Sequence, residues 1–292
     1  MKLKVAITKG AITVVLFLVA ALMLLPIIIS FTNSLMTERE ISSNYDLIGQ
    51  MTDVAAGGKD AFVNLKLIPD WVSFEQYYHV LTATPIYLNL FWNSVYMVAL
   101  IIAGQVIVGA LAAYSFAKLR YRGRDRMFFV YLIAMLMPFQ VTLVPNYIIA
   151  DQLGLLNRAS AIILPGIFGA FGVFMLRQFM QSIPNAYVEA AYMDGAGHFR
   201  IFQSIIIPLI KPGFAALVVL LFVDYWNMVE QPLIFLEDDF KQPLSVYLSV
   251  VQEEARGIGF AASVFYMLPM LLIFIYAEKY FIEGVQMSGI KG

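Results

Sequence analysis

Residues 92–117, WNSVYMVALIIAGQVIVGALAAYSFA, contain no charged side chain. An α-helix rises 1.5 Å per residue, so this run can cross the roughly 30 Å hydrocarbon core of a bilayer. Lipid offers no partner to a free backbone N–H or C=O, which makes helix the natural conformation there. Four further charge-free runs accompany it: Ala11 to Phe31, Met127 to Ala150, Ala159 to Leu176 and Gly257 to Ala277. A sixth, from about Pro212 to Leu236, is interrupted by Asp224 and Glu230, yet GFAALVVLLFV opens it and PLIFL closes it. The expectation is an all-α integral membrane protein with six transmembrane helices.

Composition agrees. The 292 residues are 61% hydrophobic, 14% aromatic and 13% charged, with a mean hydropathy of +0.77. A soluble domain carries about 25% charged residues, so this chain lacks the charge to clothe a water-facing surface. A soluble enzyme and a disordered chain are excluded, and a net charge of -1 offers no surface for nucleic acid. With no cysteine there is no disulfide, thiolate metal site or cysteine nucleophile, and only two histidines, His79 and His198, are present. The Gly58-Lys59 pair is followed by Asp60 and lacks the upstream glycine of a phosphate loop. No cofactor is expected on this chain, and any ATP would be bound by another one.

Charge asymmetry orients the spans. Placing both termini in the cytoplasm puts 13 of the 19 lysines and arginines inside: three before the first run, five in KLRYRGRDR, three from Arg177 to Lys211 and two at the C-terminal end. The first run is longer than a signal-peptide core and no small-x-small cleavage pattern follows, so it reads as a retained anchor. Residues 1–91 then hold the N-terminal tail, the first helix and a long extracytoplasmic loop. Residues 92–292 hold five helices and a cytoplasmic tail over 280–292. Within the outer loop, LIPDWVSFEQYYHVL (67–81) reads as an amphipathic surface helix or helix pair. It serves either as a lid or docking element, or as a connector that rests Trp71, Tyr77 and Tyr78 at the membrane's aromatic belt.

Between spans 4 and 5 lies RQFMQSIPNAYVEAAYMDGAGHFRIFQSIIIPLIKP. Pro184 suits a first helical turn and Asn185 or Ser182 can cap it, so a short helix is expected from about Asn185 to Met193, closing at Asp194-Gly195. A second should run from His198 to Ile207 and stop at Pro208. Two short helices meeting at a glycine form a projecting knob, with Ala190 and Ala191 small enough for close approach and Glu189 offering a carboxylate to a partner. A plain surface hairpin has the same spacing.

Within the fifth span, Asp224, Asn227 and Gln231 stand at i, i+3 and i+7 and are expected on one helical face, flanked by Tyr225 and Glu230. An ionisable group in a span normally faces a cavity or a partner. The face either lines a pathway or bonds neighbouring helices. Gln140 and Asn146 in span 3, with Pro138 and Pro145, and Asn93, Gln105 and the Gly104/Gly109 pair in span 2 are further polar or small positions. Tyr225, Tyr147 and Tyr266 are candidate aromatic platforms, although most aromatic residues in spans pack.

The 181–212 loop resembles the EAA loop of membrane subunits of bacterial ATP-binding cassette importers. That pattern is Glu-Ala-Ala, three residues, Gly, nine residues, then Ile-x-Leu-Pro; here Glu189, Ala190, Ala191, Gly195, Ile205 and Pro208 fall at those spacings, with Ile207 in place of Leu. DYWNMVEQPLIFL, which includes Asn227, and the C-terminal FIEGVQMSGIKG are similar to the carbohydrate-uptake branch, the smaller maltose-permease-type subunit in particular. The resemblance implies a permease of the bacterial cytoplasmic membrane. It implies pairing with a second homologous permease subunit, two copies of an ATPase subunit that bind ATP and Mg and dock on Glu189, Ala190, Ala191, Asp194, Gly195 and Pro208, and an extracytoplasmic binding protein that delivers a saccharide. Chemical catalysis is not expected of this chain. An EAA-type permease for a non-sugar solute and an ion-coupled transporter using Asp224 and Glu230 are the alternatives, the last without a visible repeat between the two halves.

Overall fold

The computed structural model describes residues 2–45, 65–250 and 256–289, and among them every regular element is helical. In chain order these are α1 (Lys2–Asn33), α2 (Glu38–Tyr45), α3 (Glu75–Tyr78), which continues as a π turn (His79–Ala83), and α4 (Pro85–Lys118). Then come α5 (Arg124–Met135), α6 (Phe139–Gln152), α7 (Ser160–Ile167), α8 (Ala170–Ser182) and α9 (Asn185–Met193). α10 (His198–Ile201) passes through a π turn (Phe202–Ile206) into α11 (Ile207–Leu209). α12 (Lys211–Trp226), α13 (Glu230–Phe235), a 3-10 turn (Asp239–Lys241), α14 (Leu244–Ser249) and α15 (Arg256–Gly289) follow.

Among the described residues four helices are long and apolar enough to cross a membrane: Lys9–Asn33, Pro85–Lys118, Ser160–Ser182 and Arg256–Ala277. Two bent pairs, α5 with α6 at 98° and His198–Leu209 with Lys211–Trp226 at 75°, raise the number to six if each pair is one span. The all-α membrane architecture expected from the sequence is present.

Several expected spans are not single straight helices. The 127–150 run breaks at Met137 and Pro138, where a ring without an N–H and with ψ 137° cannot continue α5. The 159–176 run divides at Gly169, whose ψ of 134° separates α7 from α8. α4 starts at Pro85 rather than Trp92, with proline at a position where the missing N–H costs nothing. The outer 67–81 segment is helical only from Glu75 onward. Residues 280–289 of the expected tail continue α15, and 290–292 lie outside the described residues.

The chain divides into two compact units, 1–88 with 250–268 and 89–249 with 269–292. In the first unit Met36, Ile41 and Tyr45 form a small core against Phe260, with the Tyr45 and Phe260 rings 5.7 Å apart. Arg256 donates to the Tyr45 carbonyl, and Gln76 Nε2 donates to Glu38 Oε2 at 2.8 Å. Gly257 lies so close to that pair that a Cβ there would stand 2.5 Å from both side chains. Lys66 bridges Glu40 (2.9 Å) and Asp70, and these hydrogen bonds, Asp70 first, hold its ammonium above the usual lysine range.

In the second unit the main core joins α4, α8, the knob and α12 through Ala110, Ala113, Leu176, Met180, Val188, Ala191, Ile201, Ile206, Leu217 and Leu221. The fold of the knob is therefore set by the same apolar contacts that hold the spans together.

Candidate functional site: a helical knob and a polar cavity

The first knob helix, α9, has the expected bounds, Asn185–Met193. Its closure is local: Asp194 N donates to Ala190 O (3.1 Å), Gly195 N to Tyr192 O (3.0 Å) and Ala196 N to Ala191 O (2.9 Å), with Gly195 at φ +79°. This is the left-handed turn that glycine adopts without a Cβ penalty. The expected caps are absent: Ser182 donates to Phe179 O, and Asn185 Oδ1 accepts from Lys118 Nζ at 3.2 Å. Lys118, the last residue of α4, also donates to Ile183 O at 2.6 Å and so fastens the entrance of the knob to a span.

Two expectations about the knob are corrected. Ala191 is buried in the core beneath α9, so its small side chain serves internal packing; Ala190 is the exposed alanine. Pro208 does not end the second helix, which runs to Leu209 because the preceding π turn accommodates a residue with no N–H to donate. Glu189, Ala190, Asp194, Gly195 and Pro208 are exposed. Around them Tyr187, Met193 and Phe199 also face outward, Met193 being 86% exposed. His198, expected from sequence only as the start of the second helix, packs its ring against the Tyr192 hydroxyl and lies 3.4 Å from the Tyr114 hydroxyl, joining both knob helices to α4. Its place three residues beyond the turn glycine is the signal that marks it.

A cavity of about 730 Å³ opens among α6, α7, α12 and α13. α12 ends at Trp226 and α13 begins at Glu230, so Asp224, Asn227 and Gln231 do not share one helical face. The irregular 227–229 segment nonetheless brings Asp224, Tyr225, Asn227, Glu230 and Gln231 to the cavity wall, opposite Asn146 and Phe139. Non-helical backbone at membrane depth is tolerated where protein buries it or a cavity solvates it. Gln140 is not on the wall; its Nε2 lies 3.3 Å and 3.4 Å from the two Glu230 carboxylate oxygens and orients that group. Asn227 Nδ2 donates to Val223 O (2.7 Å), Tyr225 Oη to Gly166 O (3.4 Å) and Gln231 Nε2 to Ala161 O (3.4 Å). The wall thus presents two carboxylates, amides and a tyrosine, with no lysine or arginine. Such a lining suits a neutral polyhydroxylated solute, and the volume is that of an ordinary small-molecule site. Tyr147 stacks edge-on with Phe235 at 5.8 Å.

The polar residues of α4 act structurally. Asn89 and Asn93 donate to Phe240 O (2.5 and 2.8 Å), Asn93 also to Gln242 O (3.1 Å), and Ser94 Oγ accepts from Leu244 N (2.9 Å). Gln105 Nε2 donates to Gly169 O at 3.2 Å, filling the space a side chain at 169 would need.

Membrane-spanning helices around a polar cavity, with a rigid helical knob beyond them, define a polytopic α-helical permease. Residues 105–283 match the family described as binding-protein-dependent transport system inner membrane component, and the chain belongs to that family. It is 31% identical over 233 residues to the arabinooligosaccharides transport system permease protein AraQ of Bacillus subtilis, covering 79% of this chain and 83% of that protein. It is 31% identical over 199 residues to the lactose transport system permease protein LacG of Rhizobium radiobacter, covering 67% and 73%. The fold matches a chain in the crystal structure of a bacterial ABC transporter involved in the import of the acidic polysaccharide alginate, with a TM-score of 0.77, 24% identity and coverage of 94% of this chain and 97% of that one.

Proposed function

We propose that this chain is the saccharide permease subunit of an ATP-binding cassette importer, forming half of the translocation pathway. It spans the bacterial cytoplasmic membrane six times with both termini inside, each bent pair counted as one span. An extracytoplasmic binding protein delivers the saccharide, a second homologous permease supplies the other half of the route, and two ATPase subunits, which alone bind ATP and Mg, dock on the 181–212 loop. The chain itself catalyses no reaction.

The observation that carries this reading is the knob: an exposed carboxylate, Glu189, amid apolar Tyr187, Met193 and Phe199 on a helix whose other side is locked into the core of the spans. A partner that grips the exposed side moves the whole seat, because a packed core transmits displacement as a rigid body. The saccharide assignment is supported by the wall chemistry and by the sugar relatives. Proteoliposomes holding the complete complex test it: saccharide uptake should require internal or external ATP on the ATPase side and the binding protein, and should persist with an ionophore. Uptake without ATP that the ionophore abolishes would replace the reading with ion coupling.

A further inference from the structure

The loop joining α4 to α5 carries the densest run of cations in the sequence. Residues 118–126, KLRYRGRDR, hold five cations and one carboxylate. The turn through Gly123, at φ +89°, folds residues 120–126 around a concavity of about 610 Å³. Not all of its arginines are equivalent. Arg124 is occupied, with Nε 3.0 Å from Asp125 Oδ1 and Nη1 3.2 Å from Leu119 O, and Lys118 is held by the knob. Arg177, from α8, is committed too, its guanidinium 3.7 Å above the Phe128 ring and 3.9 Å from Asp125. Arg120, Arg122 and Arg126 are exposed, and no hydrogen bond or ion pair holds their side chains among the described residues.

Immediately below this cradle, α5 turns an apolar surface outward: Met127, Phe129, Val130 and Ile133 are each half or more exposed. Uncommitted guanidiniums above an exposed apolar helix match a ligand with an anionic head and an acyl tail. We infer that the 120–126 cradle with the outer face of α5 is a binding site for an anionic phospholipid, Arg120, Arg122 and Arg126 contacting the phosphate and Met127, Phe129, Val130 and Ile133 the chains. Guanidinium groups form bidentate hydrogen bonds with phosphate, and basic clusters next to a span concentrate anionic lipid. The apolar half commits the site to lipid rather than to free phosphate. The inference rests on the chain's placement in a membrane, not on its cargo or its ATPase.

Native mass spectrometry of the purified full chain, with phosphatidylglycerol and phosphatidylcholine in competition, tests it. The expected result is a preference of roughly tenfold or more for phosphatidylglycerol, falling to about twofold or less in R120Q/R122Q/R126Q. Because those changes can disturb insertion, the unmodified protein provides a second reading: its preference should fall several-fold between low and high salt, since exposed charges are screened. Equal retention of both lipids by the unmodified chain overturns the proposal. So does displacement of the lipid by millimolar inorganic phosphate, which would make the site one for a bare anion. An unchanged preference for phosphatidylglycerol in the triple variant, with its helical content intact, would show that these arginines do not hold the lipid and overturn it as well.

Discussion

Glu189 and Gly195 lie six residues apart on the knob and do different physical work. Glu189 is exposed, so reversing its charge removes nothing from the fold, and substitutions of that kind change stability by about 0.5 kcal/mol or less. At a desolvated contact the same reversal leaves a repelling cation, where loss of a charge partner costs about 2–5 kcal/mol. Glu189→Lys should therefore leave the thermal unfolding of the isolated chain unchanged and strip the ATPase from washed membranes. Membranes of this variant that keep a full complement of ATPase would remove the knob as the coupling element. Gly195 has φ +79° but no heavy atom within 4 Å of where a Cβ would stand. The penalty at this position is thus one of backbone angle, not of space. Valine should cost about 1–2 kcal/mol and misdirect α10, whereas asparagine, which tolerates the left-handed region, should retain near-normal transport. Equal uptake by the Val and Asn variants would show that the turn's geometry is not what matters.

At the scale of elements, the connection after α13 is held by side chains of α4 rather than by its own sequence. Asn93 donates to two carbonyls of the 240–242 turn. Each such bond contributes about 1 kcal/mol net, so Asn93→Leu should lower stability by roughly 2 kcal/mol and raise protease sensitivity near Phe240. A melting curve that overlays the unmodified protein would assign that turn's stability to other contacts. This is also where sequence reading reached its limit. α9 was legible to the residue because its signals, Pro184 before and Gly195 after, are local. The break at Pro138 was marked by a residue that interrupts helices, yet its 98° angle depends on what α5 and α6 pack against. The end of α12 carries a local mark too, Pro232. Helical spacing alone places Asp224, Asn227 and Gln231 on one face, but a continuous helix would set the Pro232 ring against the Met228 carbonyl. The helix yields there, and the freed groups find partners: Ser245 Oγ donates to the Met228 carbonyl at 2.5 Å and Asn227 Nδ2 donates to Val223 O. The candidate residues were found by type, and their meeting at one cavity follows from a break that Pro232 forces and tertiary contacts hold.

For the molecule as a whole, apolar residues of α1 from Ile12 to Ile28 are exposed, a surface suited to lipid or to another apolar surface. The cavity, by contrast, is a polar surface that the fold keeps open. The carboxylate of Asp224 faces it from the end of α12. An acidic residue at membrane depth costs at least about 2.5 kcal/mol on insertion scales, and removing its charge should ease insertion rather than hinder it. A packing role and a transport role therefore predict different outcomes for one variant. If Asp224 lines the route, Asp224→Leu should insert and assemble with its sister permease and ATPase at normal levels, while saccharide uptake falls about tenfold or more. Glu230→Gln tests the neighbouring wall without changing shape: Gln140 retains a hydrogen-bonding partner, only the charge is lost, and a smaller loss of uptake is expected. If Asp224 instead serves to hold helices together, the leucine variant should lose assembled complex in proportion to lost uptake, and uptake per assembled complex should be unchanged. Quantifying both the complex recovered from membranes and the saccharide accumulated per complex separates the two. Normal uptake per complex in both variants would remove the cavity wall from the pathway while leaving the knob and its partners untouched.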